Sequence, residues 1–337
     1  MYSDKLIVFD LFGVIFSKGL DSSIEHLTAV FNKPARQISK IYRKLEIKFD
    51  LGEINEIEFW EQINEDLHTD ISPIVLNNIV ISSYQLKKET IALVSYLKKY
   101  FPLAIYSNYR KEWFEKLDSK YEISKLFDSV YISSETGQLK PNKKAFDILL
   151  NEYNISKNNI ILIDDDATNI RSFNRWGGHG ILFENIFETE TKIRNIFQNE
   201  FPKYDDFYSG IIIETKEKAL ILQRRDNNKL IENPGKLSVF GGRSIRGENQ
   251  IECAIREIYE EIGLKVVGAD IELLTRIAFP TGNGNWMLCA YFIVRNVHPN
   301  SIILKEGFGI EIWHPKEAIK RDDLTEVPKY IIKKYLL

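Results

Sequence analysis

Glu248, Glu257, Glu260 and Glu261 share one short stretch with Arg256, GGRSIRGENQIECAIREIYEEIGL at residues 241–264. If 251–262 is helical, Glu257 stands three residues from Glu260 and four from Glu261, which sets all three carboxylates on one face. Like charges at those spacings repel, so such a face calls for a counter-ion, and ligands made of oxygen alone suit Mg2+ or Mn2+. A second group of chemistry-bearing residues is dispersed through the first half. Asp10 follows the apolar run LIVF, Ser107 and Asn108 follow LAIY, Asp164 and Asp165 follow NIILI, and Lys140 precedes Pro141. Carboxylates able to hold a cation, beside a hydroxyl and an ammonium able to hold an oxyanion, make a phosphate-handling set.

These groups need rigid elements to converge. The three apolar runs read as buried parallel strands that deliver their polar residues at the carboxyl ends, where ligands bind in open α/β sheets. Gly13 permits a sharp turn after the first. Between them, residues 22–86 carry helical spacing broken at Pro34 and Gly52, and 89–100 is an amphipathic helix. The polar SSETGQ reads as a loop, with a helix from Lys140 through Leu150 behind it. Asp166 suits a helix cap, Trp60 and Trp113 suit packing, and His26, His68 and His179 lack ligand spacing. Residues 186–198 read as a closing helix, and the polar NEFPKYDD at 199–206 as a junction, giving domains 1–200 and 201–337. In the second domain, 207–214 and 219–223 form a hairpin and 236–240 leads into the glutamate stretch. Strands at 270–279 and 287–294 flank PTGNGN, and 326–335 closes the chain as a helix.

From Gly242 onward the order is glycine, five residues, Glu248, seven residues, Arg256, Glu257, Ile258, one residue, Glu260, Glu261, one residue, Gly263 and Leu264. This resembles the Nudix box of the Nudix hydrolases without a departure. Seven fixed letters at about one in fifteen each would coincide less than about once in a hundred million start positions, which weighs against an ordinary solvated acidic helix. The resemblance implies an α/β/α sandwich. It also implies that Glu257, Glu260 and Glu261 bind the metal, with Glu257 and Glu260 in the catalytic set. Gly242 lends a carbonyl ligand, and Glu306 is a further ligand or base with surface glutamate as the competing reading. Arg256 and Glu248 read as a supporting ion pair. Arg224, Arg225 and Arg243 are candidates for contact with a diphosphate; Phe279, Trp286 and Trp313 are candidates either for stacking on a base or for the core.

Residues 1–190 resemble the haloacid dehalogenase (HAD) superfamily: Asp10-Leu11-Phe12-Gly13-Val14, then Ser107, then Lys140-Pro141, then Asp164-Asp165 with Asn169. The resemblance implies a Rossmann-like parallel sheet with a small helical cap at about 16–88. It makes Asp10 the nucleophile that forms an aspartyl-phosphate, and Ser107 and Lys140 the holders of the phosphoryl group, with Asn108 beside Ser107 as a substrate contact. Asp10, Asp164 and Asp165 would bind Mg2+. One departure matters. The family's second aspartate, its general acid and base, is Phe12 here, and such catalysis contributes about 10²- to 10⁴-fold. Three readings stay open: a phosphatase for good leaving groups, a catalytically silent fold, and a dehalogenase. The acid pair Asp164–Asp165 argues against the last.

With 337 residues the chain is long enough for two domains. Hydrophobic residues at 44% and charged ones at 28% describe an ordinary soluble globular protein. A net charge of -3 gives no reason to expect nucleic-acid binding. Two unpaired-looking cysteines, Cys253 and Cys289, argue against a disulfide framework or a zinc site. The amino-terminal residues lack a leader pattern and no apolar run reaches the ~20 residues of a membrane span, so a cytoplasmic location without a membrane partner is expected. The expected function is metal-dependent cleavage of a nucleoside diphosphate linked to some group X. The HAD-like half would act on or bind the phosphorylated product. A nucleotide-binding sensor or scaffold is the alternative, and a homodimer stays open.

Overall fold

The computed structural model describes residues 4–18, 20–198, 204, 206–228, 233–280 and 286–337. The chain divides into two compact units, Met1–Phe201 and Pro202–Leu337. Most of the stretch read as the junction, and residues 281–285 of PTGNGN, lie outside the described residues.

The first unit is built on a parallel five-stranded sheet. Its strands are β1 (Leu6–Phe9), β2 (Leu103–Ser107), β3 (Ser129–Ile132), β4 (Ile160–Asp164) and β5 (His179–Leu182), in the order β3-β2-β1-β4-β5. β1 pairs with both β2 and β4, so Val8 lies beside Ala104 on one side and Leu162 on the other. Every residue of β1, β2 and β4 is buried, as unbroken apolar runs require when helices cover both faces. The same order brings Asp10, Ser107 and Asp164 to one edge.

Helices α1 (Leu20–Phe31), α2 (Ala35–Asp50), α3 (Glu56–Leu67) and α4 (Pro73–Ser83) separate β1 from α5 (Lys88–Leu97). Asn55 starts α3 with a capping box, its carboxamide accepting from Ile57 and Glu58 while Glu58 accepts from the Asn55 backbone. The chain enters and leaves this helical layer along two adjacent crossings. Phe16 bridges Leu86, Ser17 N donates to Gln85 O at 2.8 Å, and Lys87 N donates to Ile15 O at 2.9 Å. Trp60 and Trp113 are fully buried and stack at 6.0 Å.

The remaining helices are α6 (Lys111–Tyr121), α7 (Ser133–Thr136), α8 (Lys143–Tyr153), α9 (Ala167–Trp176) and α10 (Ile186–Ile196). Asp166 caps α9 by accepting from Thr168 N. Two local expectations need correction. SSETGQ opens with the single turn α7, ended by Gly137 at φ +63, and the following helix starts at Lys143 because Asn142, not Lys140, accepts from Lys144 N as its cap. β3 was not anticipated, being only four residues long and half-buried at the sheet edge.

The second unit holds a mixed sheet of β6 (Asp206–Glu214), β7 (Leu220–Arg224), β8 (Leu237–Ser238), β9 (Phe240–Arg243), β10 (Ile271–Pro280), β11 (Trp286–Val294) and β12 (Gly309–Trp313). Its main path is β10-β11-β6-β7-β12, with β8 on β7 and β9 on β6. β11 and β6 run parallel; the other pairs are antiparallel. Helix α11 (Gln250–Ile262) packs Ala254, Ile258 and Ile262 onto Ile211, Ile213, Phe240 and Phe292. Asn249 begins α11 with a capping box and Gly263 ends it at φ +65. Helices α12 (Pro315–Ala318) and α13 (Glu326–Tyr335) complete the unit. β12 and α12 went unanticipated: GIEIW is half-buried along an edge, so its apolar pattern is weak. Among the described residues no helix is long and apolar enough to cross a membrane.

Candidate active sites

In the first unit the strand ends converge on a carboxylate cluster. Asp10 N donates to Ile163 O at 2.8 Å, which carries the residue just past β1 alongside β4. Its Oδ1 accepts from Leu11 N at 2.7 Å and lies 3.1 Å from Lys140 Nζ. Asp164 is completely buried, and its Oδ2 accepts from Lys140 Nζ at 2.6 Å and from Asn169 Nδ2 at 2.9 Å. Asp165 meets Lys18 Nζ at 2.5 Å. One ligand oxygen from each of Asp10, Asp164 and Asp165 falls within 4.8 Å of the others.

Burial raises the Asp10 carboxyl to about 7, opposed by Lys140 and reinforced by Asp164. Burial also disfavours the Lys140 ammonium, but Asp10 and Asp164 outweigh it and draw its pKa upward. Three carboxylates against these cations, with only oxygen donors, fit a hard divalent cation. The backbone is shaped for the same purpose. Gly13 has φ +79, and a Cβ there would stand 2.2 Å from Asp165 Oδ2.

Ser107 closes β2 and is buried. Asn108 takes a different part from the one expected: its Oδ1 accepts from Lys140 N and its Nδ2 donates to Lys140 O, both at 2.8 Å. These two bonds hold the backbone of the lysine in place. The Phe12 ring packs 4.3 Å from Tyr109 and 4.5 Å from Tyr84, between centroids.

Three cations near this site carried no signal in the sequence, because each sits in a polar stretch without a motif. Lys18 is one. Lys87 donates to Gly13 O at 2.5 Å and lies 4.9 Å above the Phe183 ring; burial pulls its pKa down. Arg110 is only 3% exposed, between Asp50 (3.2 Å) and Glu46 (3.5 Å), with its guanidinium 4.6 Å from the Trp113 ring. Burial lifts its partner Asp50 to about 7.

In the second unit Arg256 organises the acids of α11. Its Nε and Nη2 bind Glu248 at 2.8 and 2.9 Å, and its Nη1 binds Glu257 at 2.7 Å and Glu260 at 2.8 Å. Nη2 also donates to Arg243 O at 3.0 Å, tying β9 to the helix. Glu261 is buried, accepting from Gly241 N at 2.8 Å and Gln223 Nε2 at 3.2 Å, and burial lifts its carboxyl to about 7. Burial likewise raises Glu257. Gly242 is a cradle: a Cβ there would stand 2.2 Å from Glu257 Oε1.

These glutamates share a face but are not drawn as close as the three aspartates; among the described residues only the Asp10–Asp164–Asp165 group has its ligand atoms within 4.8 Å. Arg256 holds Glu257 and Glu260, while Gly241 and Gln223 hold Glu261. Four carboxylates against one guanidinium still leave excess negative charge, and the all-oxygen donor set fits Mg2+ or Mn2+. Glu306 is exposed, and its amide donates to Glu261 O at 3.2 Å, so β12's approach keeps its charge near Glu261 and Glu257.

Arg224 does not stand ready for a diphosphate. Its Nη1 donates to Asp323 Oδ2 at 2.8 Å and Gly235 O at 2.9 Å, and its Nε to Glu311 Oε1 at 3.0 Å. Arg224 and Arg225 both line a cleft of about 440 Å³, with Asn227, Gly235, Phe308 and Glu311, and the buried Nε of Arg225 has no hydrogen-bond partner. Arg243 is exposed at the end of β9. Trp286 is buried in the core, and Trp313 stacks under Arg321 at 4.4 Å. Phe279 is half-buried in β10.

A model of haloacid dehalogenase-like hydrolases matches residues 5–177, and a NUDIX domain model matches 208–335. The chain belongs to the haloacid dehalogenase-like hydrolases and carries a Nudix domain behind that one. The HAD-like unit is similar to a HAD family enzyme from Bacteroides thetaiotaomicron in its magnesium complex. That similarity is 18% identity over 56% of this chain and 98% of that one, with a TM-score of 0.51. The Nudix unit is similar to the MutT protein from Methanosarcina mazei Go1, 18% identical over 40% of this chain and 95% of that one, TM-score 0.35. Drimenol cyclase drtB of Aspergillus calidoustus is 30% identical over 91 residues, which span 27% of this chain and 17% of that protein.

Proposed function

We propose that the chain is a metal-dependent hydrolase of phosphoric anhydrides. The Nudix unit cleaves a nucleoside diphosphate linked to a group X, and the HAD-like unit acts on or binds the phosphorylated product. The observation that carries this reading is the Arg256-centred array of Glu248, Glu257 and Glu260, with Glu261 and the bare Gly242 backbone beside it. Glu257, Glu260, Glu261 and the Gly242 carbonyl would hold Mg2+ or Mn2+. Such an ion supplies charge neutralisation for the diphosphate and acidifies water. Arg256 keeps two of the carboxylates oriented, and Glu260, the most exposed of those it binds, would take a proton from an attacking water. Asp10, Asp164 and Asp165 would hold Mg2+ in the HAD-like unit, with Lys140 and Ser107 facing the phosphoryl oxygens.

Purified full-length protein with Mg2+ or Mn2+ is expected to release product from a panel of nucleotide sugars, dinucleotides and nucleoside triphosphates. Glu260→Gln with Glu261→Gln is expected to abolish release from the nucleotide sugars and dinucleotides, which carry no terminal phosphoryl group. Turnover unaffected by the double substitution would place the chemistry elsewhere. A second reading, a nucleotide sensor with a silent HAD-like unit, is favoured by the Phe12 ring lodged against Tyr84 and Tyr109. Tight nucleotide binding in calorimetry without hydrolysis would select it.

A further inference from the structure

The HAD-like site couples a missing acid with two added cations. At the second position beyond Asp10, where a proton donor for a departing alkoxide would stand, the Phe12 ring packs against Tyr84 and Tyr109. Neither phenol substitutes well, since burial holds their protons more tightly, Tyr84 at about 12 and Tyr109 higher still. The two crossings between sheet and helical layer each bring a lysine to the same mouth. Lys18 Nζ reaches Asp165 at 2.5 Å, and Lys87 Nζ reaches the carbonyl of Gly13, against which Asp165 lies. The Lys18 side chain is 73% exposed, so its ammonium reaches a ligand there without unpacking anything. Two ammonium groups at Asp165 and the Gly13 carbonyl, on the mouth of the aspartate cluster, and no acid, describe a site for a leaving group that departs as an anion and stays one.

We infer that the HAD-like unit takes its phosphoryl group from a terminal diphosphate, with Lys18 and Lys87 receiving the inner phosphate as the leaving group. The inference rests on the reading of Asp10 as phosphoryl acceptor. An Asp10 carboxylate oxygen bonds to the terminal phosphorus while the bridging P–O bond breaks, and its electron pair leaves on the inner phosphate. Water then adds to the phosphorus of the aspartyl-phosphate. The Asp10 oxygen leaves with its pair, and the proton of the water passes to solvent. Diphosphate and water thus become monophosphate, inorganic phosphate and a proton, with no protonated alcohol at any stage.

The test uses the full-length chain carrying Glu260→Gln and Glu261→Gln, which silences the Nudix unit, with Mg2+ present. The probes are inorganic pyrophosphate, aryl phosphates of graded phenol acidity, and glycerol phosphate. Phosphate release from pyrophosphate and the most acidic aryl phosphate is expected to exceed that from glycerol phosphate by at least about 10²-fold and to vanish with Asp10→Asn. Lys18→Ala and Lys87→Met are expected to raise KM for pyrophosphate by a larger factor than KM for the aryl phosphates. Calorimetry of pyrophosphate binding to the Asp10→Asn chain should show the same weakening. Comparable rates on glycerol phosphate and pyrophosphate, a KM shift of equal factor for all probes, or no Asp10-dependent release from any probe would overturn the inference. None of these outcomes bears on the Nudix reading, which is tested by nucleotide cleavage in the chain with Glu260 and Glu261 present and by its loss when both are replaced.

Discussion

Lys140 Nζ stands 2.6 Å from Asp164 Oδ2, both side chains sealed from solvent, and the same ammonium lies 3.1 Å from Asp10. One buried cation thus serves one sealed carboxylate, Asp164, and one partly buried one, Asp10. Its removal by Lys140→Met leaves uncompensated charge and is expected to destabilise the HAD-like unit by about 3–5 kcal/mol. The remaining aspartates then attract a divalent cation more strongly. Thermal unfolding should therefore show a larger Mg2+-induced rise in Tm for Lys140→Met than for the parent chain. An equal rise in both would mean that Lys140 does not oppose metal binding.

The two bare glycines offer a matched pair of substitutions. Gly242→Ala pushes a methyl group into Glu257, and Gly13→Ala pushes one into Asp165 at a backbone angle that favours glycine. A displacement near 1 Å at a reacting centre can lower a rate about 10²-fold, so each change should silence its own unit and spare the other. Parallel assays of nucleotide cleavage and Asp10-dependent phosphate release would read this directly.

Arg256 is expected to tolerate lysine poorly. Five donors in a planar fork serve Glu248, Glu257, Glu260 and the Arg243 carbonyl together, whereas an ammonium cannot span them. Arg256→Lys should lower nucleotide cleavage and weaken the unit by about 1.5–3 kcal/mol in urea unfolding. Retention of full activity would show that the glutamates hold their places unaided.

Asp323 gives a pH prediction with a definite sign. Arg321, and behind it Arg224, hold its carboxyl well below the usual carboxylate range. The folded form therefore binds the proton less readily than the unfolded chain does. The stabilisation is fully present above the unfolded pKa, about 4, and is lost as pH falls below it. Because the pair is partly solvent-exposed, it contributes no more than about 1 kcal/mol. Asp323→Asn should cost that amount at pH 7, and the gap between variant and parent should close as pH drops toward 2. A gap that persisted unchanged in acid would assign the effect to packing.

Much of both sites was legible from local pattern. A run such as LIVF or IILID must be a buried strand, because nothing polar interrupts it, and its terminal carboxylates must then lie at the sheet edge. The spacing of Glu257, Glu260 and Glu261 follows from 3.6 residues per turn once Asn249 and Gly263 bound the helix. Short or half-buried edge strands such as β3 and β12 escaped, since an edge needs no continuous apolar run.

Several of the charge partnerships were decided by the tertiary structure. Nothing near Asn108 in sequence announces that its amide clasps the Lys140 backbone, nor that Arg224 is held by Glu311 and Asp323. Lys18 reaches Asp165, and Lys87 the Gly13 carbonyl, where the two chain crossings pair side by side. Local sequence determines periodicity and the order in which strand ends appear. Long-range pairing determines which side chains share one low-dielectric space, and only there do partners and proton affinities become definite.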